Sequence, residues 1–179
     1  MDRFHILTGG PGSGKSTLID ALEQVGYARS VEAGRGIIQQ QVSIGGNALP
    51  WINPAAFADL MLTWEMRSYE IAQKTAGPVF FDRGVPDIAG YLQLNDLAIP
   101  SYVEKAIELY GYNRRVFIAP PWREIFSQDA ERKQDFPEAV CTYEAMVSIY
   151  TKYGYQPVEI PQTTVEKRVE FVLSKIGEK

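Results

Sequence analysis

The stretch Phe4-His5-Ile6-Leu7-Thr8-Gly9-Gly10-Pro11-Gly12-Ser13-Gly14-Lys15-Ser16-Thr17 decides the fold. It opens as an apolar run of strand length, and Lys15 to Gln24 continues it with a helical pattern, so the glycines occupy a strand-to-helix turn. Gly9 to Ser16 satisfies G-x-x-x-x-G-K-[ST] in full. Glycines there let the backbone turn its N–H groups inward around a phosphate without Cβ clashes, and the helix N-terminus adds a positive dipole end. Gly10, Pro11, Gly12, Ser13 and Gly14 are therefore expected to cradle the phosphates of a nucleotide. Lys15 would bridge the β- and γ-phosphates, Ser16 would place its hydroxyl on Mg²⁺, and Thr17 would reach the α-phosphate. ATP and Mg²⁺ are the expected cofactors. The alternative, a glycine-rich turn with an exposed lysine, does not account for the flanking strand and helix. His5, between Phe4 and Ile6 in the strand, reads as a structural residue.

Working outward, five short apolar segments alternate with helical patterns: Phe4–Thr8, Tyr27–Val31, Val79–Asp82, Arg115–Ala119 and Pro157–Ile160. That alternation predicts a parallel sheet with helices on both faces, a three-layer α/β P-loop NTPase in which residues 1–179 form one domain. Asn53 to Thr75 puts Phe57, Leu60, Met61, Trp64, Ile71 and Ala72 on an apolar stripe. Pro137 to Tyr153 reads as a helix capped by Asp135 and terminated by Gly154. Thr163-Thr164-Val165-Glu166 reads as the capping box of a last helix.

A formal net charge of -4 over 179 residues leaves no cationic excess for nucleic acid or an anionic membrane. Cys141 and His5 are the only residues of their types, so no disulfide and no Cys/His zinc cluster forms within the chain. No apolar stretch approaches the ~20 residues of a membrane span. The glycine loop follows too soon for a signal peptide, and a cytoplasmic location is expected. A homodimer is left open.

Two acidic positions flank the loop. Val79-Phe80-Phe81-Asp82 ends a strand in a carboxylate, the place from which such proteins hold Mg²⁺, so Asp82 is the expected partner of Ser16. The alternative is a cap for the helix beginning near Val85. Arg83 follows, where motor-type ATPases place a water-activating glutamate, which argues against a motor. Glu32 follows the second strand in Glu32-Ala33-Gly34-Arg35, at the C-terminal strand ends where such sheets open their sites. It can take the proton of a substrate hydroxyl, with Arg35 binding an anionic group, or it is a first-turn residue favoured by the helix dipole.

Walker A, Glu-x-x-Arg after strand two, Phe-Phe-Asp-Arg-Gly at strand three and Pro-Pro-Trp-Arg-Glu-Ile-Phe after strand four together resemble the small P-loop ATPases whose AAA-type domain is shared with ribosylnicotinamide kinase regulators. More distantly, Glu32 and Asp82-Arg83 are similar to the base and acidic-Arg pair of deoxyribonucleoside kinases, with Asp-Arg as in thymidylate kinases. The resemblance spans nearly the whole chain. It implies the strand order 2-3-1-4-5 and a nucleotide-kinase-like fold.

Residues 120–136 carry Arg123, Arg132 and Lys133 where phosphoryl-transfer enzymes of this build carry a lid. At about 100° per residue Arg123 and Arg132 face opposite sides of a straight helix, so both meet one phosphate only if the segment bends. Arg132 is the candidate for the transition-state charge, and Arg123 is a candidate for the phosphates or the adenine ring. Pro161-Gln162-Thr163 is a second candidate base contact, and no Asn-Lys-x-Asp run is present to read guanine. Arg67 offers a substrate anion contact or a surface pair with Glu70. The resulting expectation is a kinase moving the γ-phosphoryl of ATP to a hydroxyl of a small nucleoside-like metabolite, with Glu32 as base and Arg83 stabilising charge. The alternative is an ATP-dependent switch or slow ATPase that binds a protein or lipid partner.

Overall fold

The strand before the glycine loop, β1 (Phe4–Gly9), is buried along its whole length, as an apolar run covered on both faces must be. The computed structural model describes residues 2–126 and 135–177. In it β1 is followed by α1 (Lys15–Gln24), β2 (Ala28–Arg29), α2 (Ala33–Ile44), α3 (Pro54–Ala72), β3 (Val79–Asp82) and α4 (Val85–Leu94). Then come α5 (Ser101–Leu109), β4 (Arg115–Ala119), α6 (Phe136–Lys152), β5 (Gln156–Glu159) and α7 (Val165–Gly177). The strands form one parallel sheet in the order β2-β3-β1-β4-β5.

Strand alternation divides the core into two layers. Phe4, Ile6, Phe81, Val116 and Ile118 enter one cluster with residues of α2 to α6. Leu7, Phe80 and Phe117 enter the other with Leu18, Ile19 and Leu22 of α1 and Val172 of α7. Parallel neighbours therefore end together, and the loops after β1, β2 and β3 open on one edge of the sheet.

Several boundaries differ from the sequence expectation. β2 is shorter than Tyr27–Val31 because it is an edge strand: Ser30 still donates to the Phe80 carbonyl at 2.9 Å, but Val31 is 62% exposed. The α3 stripe is rotated. Leu60 and Ile71 face outward, while Glu65 and Tyr69 share the buried face with Phe57 and Met61, because packing selects that i, i+4 series. The α7 cap is Thr164, whose Oγ1 accepts from the Lys167 N–H at 3.5 Å, one residue later than the Thr163 box. α5 was not among the expected helices; its buried Val103, Ala106 and Ile107 carry the signal, and no side chain caps it. Asn53 caps α3 and Asp135 caps α6 as their sequences indicate.

Candidate active site

The glycine loop is held from outside. Gly12 and Gly14 take φ values of 68° and 75°, which disfavour L side chains. A Cβ at Gly10 would come 2.4 Å from the Ala139 carbonyl, and one at Gly12 would meet the Phe126 ring at 2.6 Å. Ser13 Oγ donates to the Gly10 carbonyl at 2.8 Å. Arg168, reaching over from α7 and 2% exposed, donates from Nη1 to the Gly14 carbonyl and from Nη2 to the Ser13 carbonyl, both at 3.2 Å. Burial lowers the Arg168 pKa from its usual range. These bonds fix the loop carbonyls on the protein side, and α1 starts directly after the loop, so the positive end of its dipole faces it.

Lys15 is buried and forms an ion pair with the equally buried Asp82, which ends β3. The Asp82 N–H donates to Ser30 Oγ at 2.9 Å, fixing the strand end. Ser16 and Thr17 are exposed at the start of α1. The described residues contain no group of three or more His, Cys, Asp or Glu that could hold a metal. A cation here would draw on one carboxylate, one hydroxyl, phosphate oxygens and water, a donor set that suits Mg²⁺ and its reluctance to shed water.

Arg83 follows with φ 73°, an unusual conformation for a residue with a side chain. Its N–H donates to the Leu7 carbonyl at 2.9 Å, so the kink is tied to β1. The kink turns the guanidinium between two carboxylates, with Nη1 at 3.2 Å from Asp87 and Nε at 3.9 Å from Glu32. Glu32 stands at the N-cap position of α2 without capping it through its side chain. Asp87, 4% exposed on α4, is a hub: it also accepts from Thr8 Oγ1, the Gly84 N–H at 2.9 Å and the Tyr150 hydroxyl.

These groups border a cavity of about 820 Å³, which reaches from Pro11 of the phosphate loop to Glu32, Arg83, Asp87 and Glu65. Phe57, Met61, Ile88 and Tyr91 form apolar walls. Such a volume accommodates a small metabolite.

Three expected site arginines do not converge here. Arg67 lies on the exposed face of α3 and pairs with Glu70 at 3.5 Å, since its position is turned away from the Glu65 face. Arg35 is exposed on α2 and does not line the cavity, whereas Gly34 does. Arg123 stacks on the Phe136 ring at 4.1 Å. Arg132 lies outside the described residues. Gln162, in the expected base contact, donates from Nε2 to the Pro121 carbonyl at 2.7 Å, which joins the segments after β4 and β5. Asp87, Glu65 and Arg168 were not found by the sequence reading. A carboxylate five residues after Asp82 and a glutamate on an apolar helix face were available signals, whereas Arg168 is 154 residues from Gly14.

A family model described as an AAA domain matches residues 4–168. No curated protein matches the sequence. Among solved structures, deoxyadenosine kinase from M. mycoides with bound dATP is similar at a TM-score of 0.69 and 14% identity, covering 98% of this chain and 100% of that one. NadR protein in complex with NAD and AMP-PNP is similar at a TM-score of 0.71 and 15% identity, covering 99% of this chain and 50% of that one. Thymidylate kinase from Ehrlichia chaffeensis is similar at a TM-score of 0.63 and 14% identity, with 97% of each chain covered. At these identities the likeness establishes the fold, that of the P-loop nucleotide kinases.

Proposed function

We propose, from the premise that this chain belongs to the AAA domain family, that it transfers the γ-phosphoryl group of ATP to a hydroxyl of a small nucleoside-like metabolite. The observation that carries the reading is the cavity joined to the phosphate loop at Pro11 and lined by Glu32 and Arg83. A hydrolase needs room only for water, whereas a phosphotransferase needs a second substrate site beside the phosphates. ATP supplies the phosphoryl group, and Mg²⁺ neutralises charge on its phosphates.

The chain's own residues would do the rest. Lys15 exchanges Asp82 for phosphate oxygens, which frees Asp82 to share the cation with Ser16. Glu32 accepts the proton of the attacking hydroxyl, and Arg83 orients Glu32 and offsets the charge that develops. Residues 120–136 are the proposed lid, with Arg132 as its cation. The AAA-family membership and the kinase neighbours support a phosphotransferase.

An ATP-dependent switch is the second reading, favoured by the exposed Val42, Ile44, Trp51 and Ile52 on α2 and the loop after it. ADP release measured against nucleosides and other small alcohols separates the two. An alcohol that raises turnover above the water-only rate supports the kinase, and turnover indifferent to every alcohol supports the switch. Lys15→Ala is expected to abolish nucleotide binding, measured by calorimetry. Glu32→Gln is expected to keep ATP affinity and to lower transfer about 10²–10⁴-fold, the usual contribution of a general base. Equal loss of ATP affinity in both variants would remove Glu32 from the role of base.

A further inference from the structure

Most carboxylates bordering the cavity are already engaged. Asp87 is held by Thr8, Arg83, Gly84 and Tyr150, Glu32 faces Arg83, and Glu138 closes the α6 capping box with Asp135. Glu65 is different. It lines the cavity with Phe57 and Met61, at four-residue intervals along one face of α3, and is 1% exposed. Its buried Oε2 has no hydrogen-bond partner, and no ion pair among the described residues involves it. A buried polar group without a partner costs stability, which a ligand bonded to it would offset.

A buried carboxyl without a hydrogen-bond partner is driven toward its neutral form. Burial first, then the charges of Asp87 and Asp82, push the Glu65 pKa well above the usual carboxylate range, and Arg83 and Lys15 only partly oppose this. The neutral form that burial favours is a carboxylic acid, with one O–H donor and one acceptor oxygen in a common plane. The apolar walls around it include the rings of Phe57 and Tyr91, which pack edge to face with their centroids 5.5 Å apart.

Resting on the reading of this cavity as the acceptor site, we propose that Glu65 recognises the acceptor by exchanging a pair of hydrogen bonds with a planar, uncharged donor–acceptor edge such as a carboxamide, a lactam or an aminopyrimidine. The pair satisfies both carboxyl oxygens at once. A cationic edge would need an ionised partner there, and an anionic edge would meet Asp87 and Asp82.

Three probes with the same ring separate these cases: benzamide, benzamidine and benzoate, titrated at pH 7 by ligand-observed NMR. They are added to the full chain as wild type, Glu65→Gln and Glu65→Leu. Benzamide is expected to bind the wild type best of the three. Glu65→Gln, whose amide carries the same donor–acceptor pair, is expected to bind it within about threefold of wild type, and Glu65→Leu to lose about tenfold or more. The thermal midpoint of Glu65→Leu is expected to rise, because an unpartnered buried polar group is replaced by an apolar one. A residue serving only the fold would show the reverse, with benzamide affinity unchanged and the midpoint lowered, and that result overturns the proposal. So does absence of benzamide binding to the wild type. Tighter binding of benzamidine that disappears in Glu65→Gln would make Glu65 a carboxylate for cations and would also sink it. No step of this test reads phosphoryl transfer, so failure of the kinase reading and failure of Glu65 recognition appear in different experiments.

Discussion

At the residue scale the site depends on side chains that hold the backbone in a binding shape. Arg168 is the clearest case: two of its nitrogens engage consecutive carbonyls of the glycine loop and so fix the backbone on which the proposed phosphate site rests. Losing a charged donor to buried carbonyls typically costs about 1–3 kcal/mol. Arg168→Met is therefore expected to weaken ATP binding by roughly tenfold or more, and Arg168→Lys only partly to restore it, because a single ammonium cannot reproduce the planar fork. Calorimetric titration with ATP checks this. An unchanged ATP affinity alongside a lowered melting temperature would assign Arg168 to the fold alone. Arg83 makes a related point. Its φ of 73° is an uncommon conformation for a residue with a side chain, and the kink turns the guanidinium between Glu32 and Asp87.

At the element scale, helices bring polar groups to the cavity through faces that are otherwise apolar. α3 contributes Glu65, and α4 contributes Asp87. α6 contributes Glu138, Thr142 and Met146, and its start is fixed by a reciprocal box. Asp135 Oδ1 accepts from the Glu138 N–H at 2.9 Å, and Glu138 Oε2 accepts from the Asp135 N–H at 2.6 Å. Removing such a cap costs about 1 kcal/mol. Asp135→Ala is expected to lower the unfolding free energy by that amount, read as a lower urea midpoint with an unchanged slope of the transition. A variant as stable as wild type would show that α6 is held by packing alone.

At the scale of the whole molecule, stability should depend on pH through the sheet interior. His5 on β1 is 4% exposed, packs against Phe80 and Phe117, and has no partner at Nδ1. Burial, partly offset by Asp2, lowers its pKa from 6.5 to about 4. The native state therefore keeps His5 neutral where the unfolded chain takes up a proton. Between pH 6.5 and about 4 the unfolded state binds more protons, so this residue makes stability fall as pH drops through that window. Above pH 6.5 and below about 4 its contribution is level. His5→Leu is expected to flatten the loss of urea midpoint between pH 7 and pH 5 relative to wild type. Parallel curves for the two proteins would rule out His5 as the source. On the same scale, no helix of the described residues is long and apolar enough to cross a membrane.

Local patterns determined a great deal of this protein. The strand, glycine loop and helix from Phe4 to Gln24, the alternation of strands with helices, the Asn53 and Asp135 caps and the strand-end position of Asp82 follow from periodicity and spacing over a few residues. The strand order was legible from resemblance, because parallel connections of this kind recur across the fold. What only the tertiary structure decided is which helix faces turn inward. Glu65 reaches the buried face because α3 packs with Leu60 and Ile71 outward. In the sequence Arg67 is open to a substrate anion or to a surface pair with Glu70, and the packing of α3 leaves it in that pair, while Arg35 is exposed on α2. Arg168 meets Gly14 across 154 residues of sequence, and Asp87 gathers Thr8 and Tyr150 from β1 and α6. Short-range periodicity encodes elements, but convergence on a site depends on the rotation and docking of whole elements, which no local spacing records.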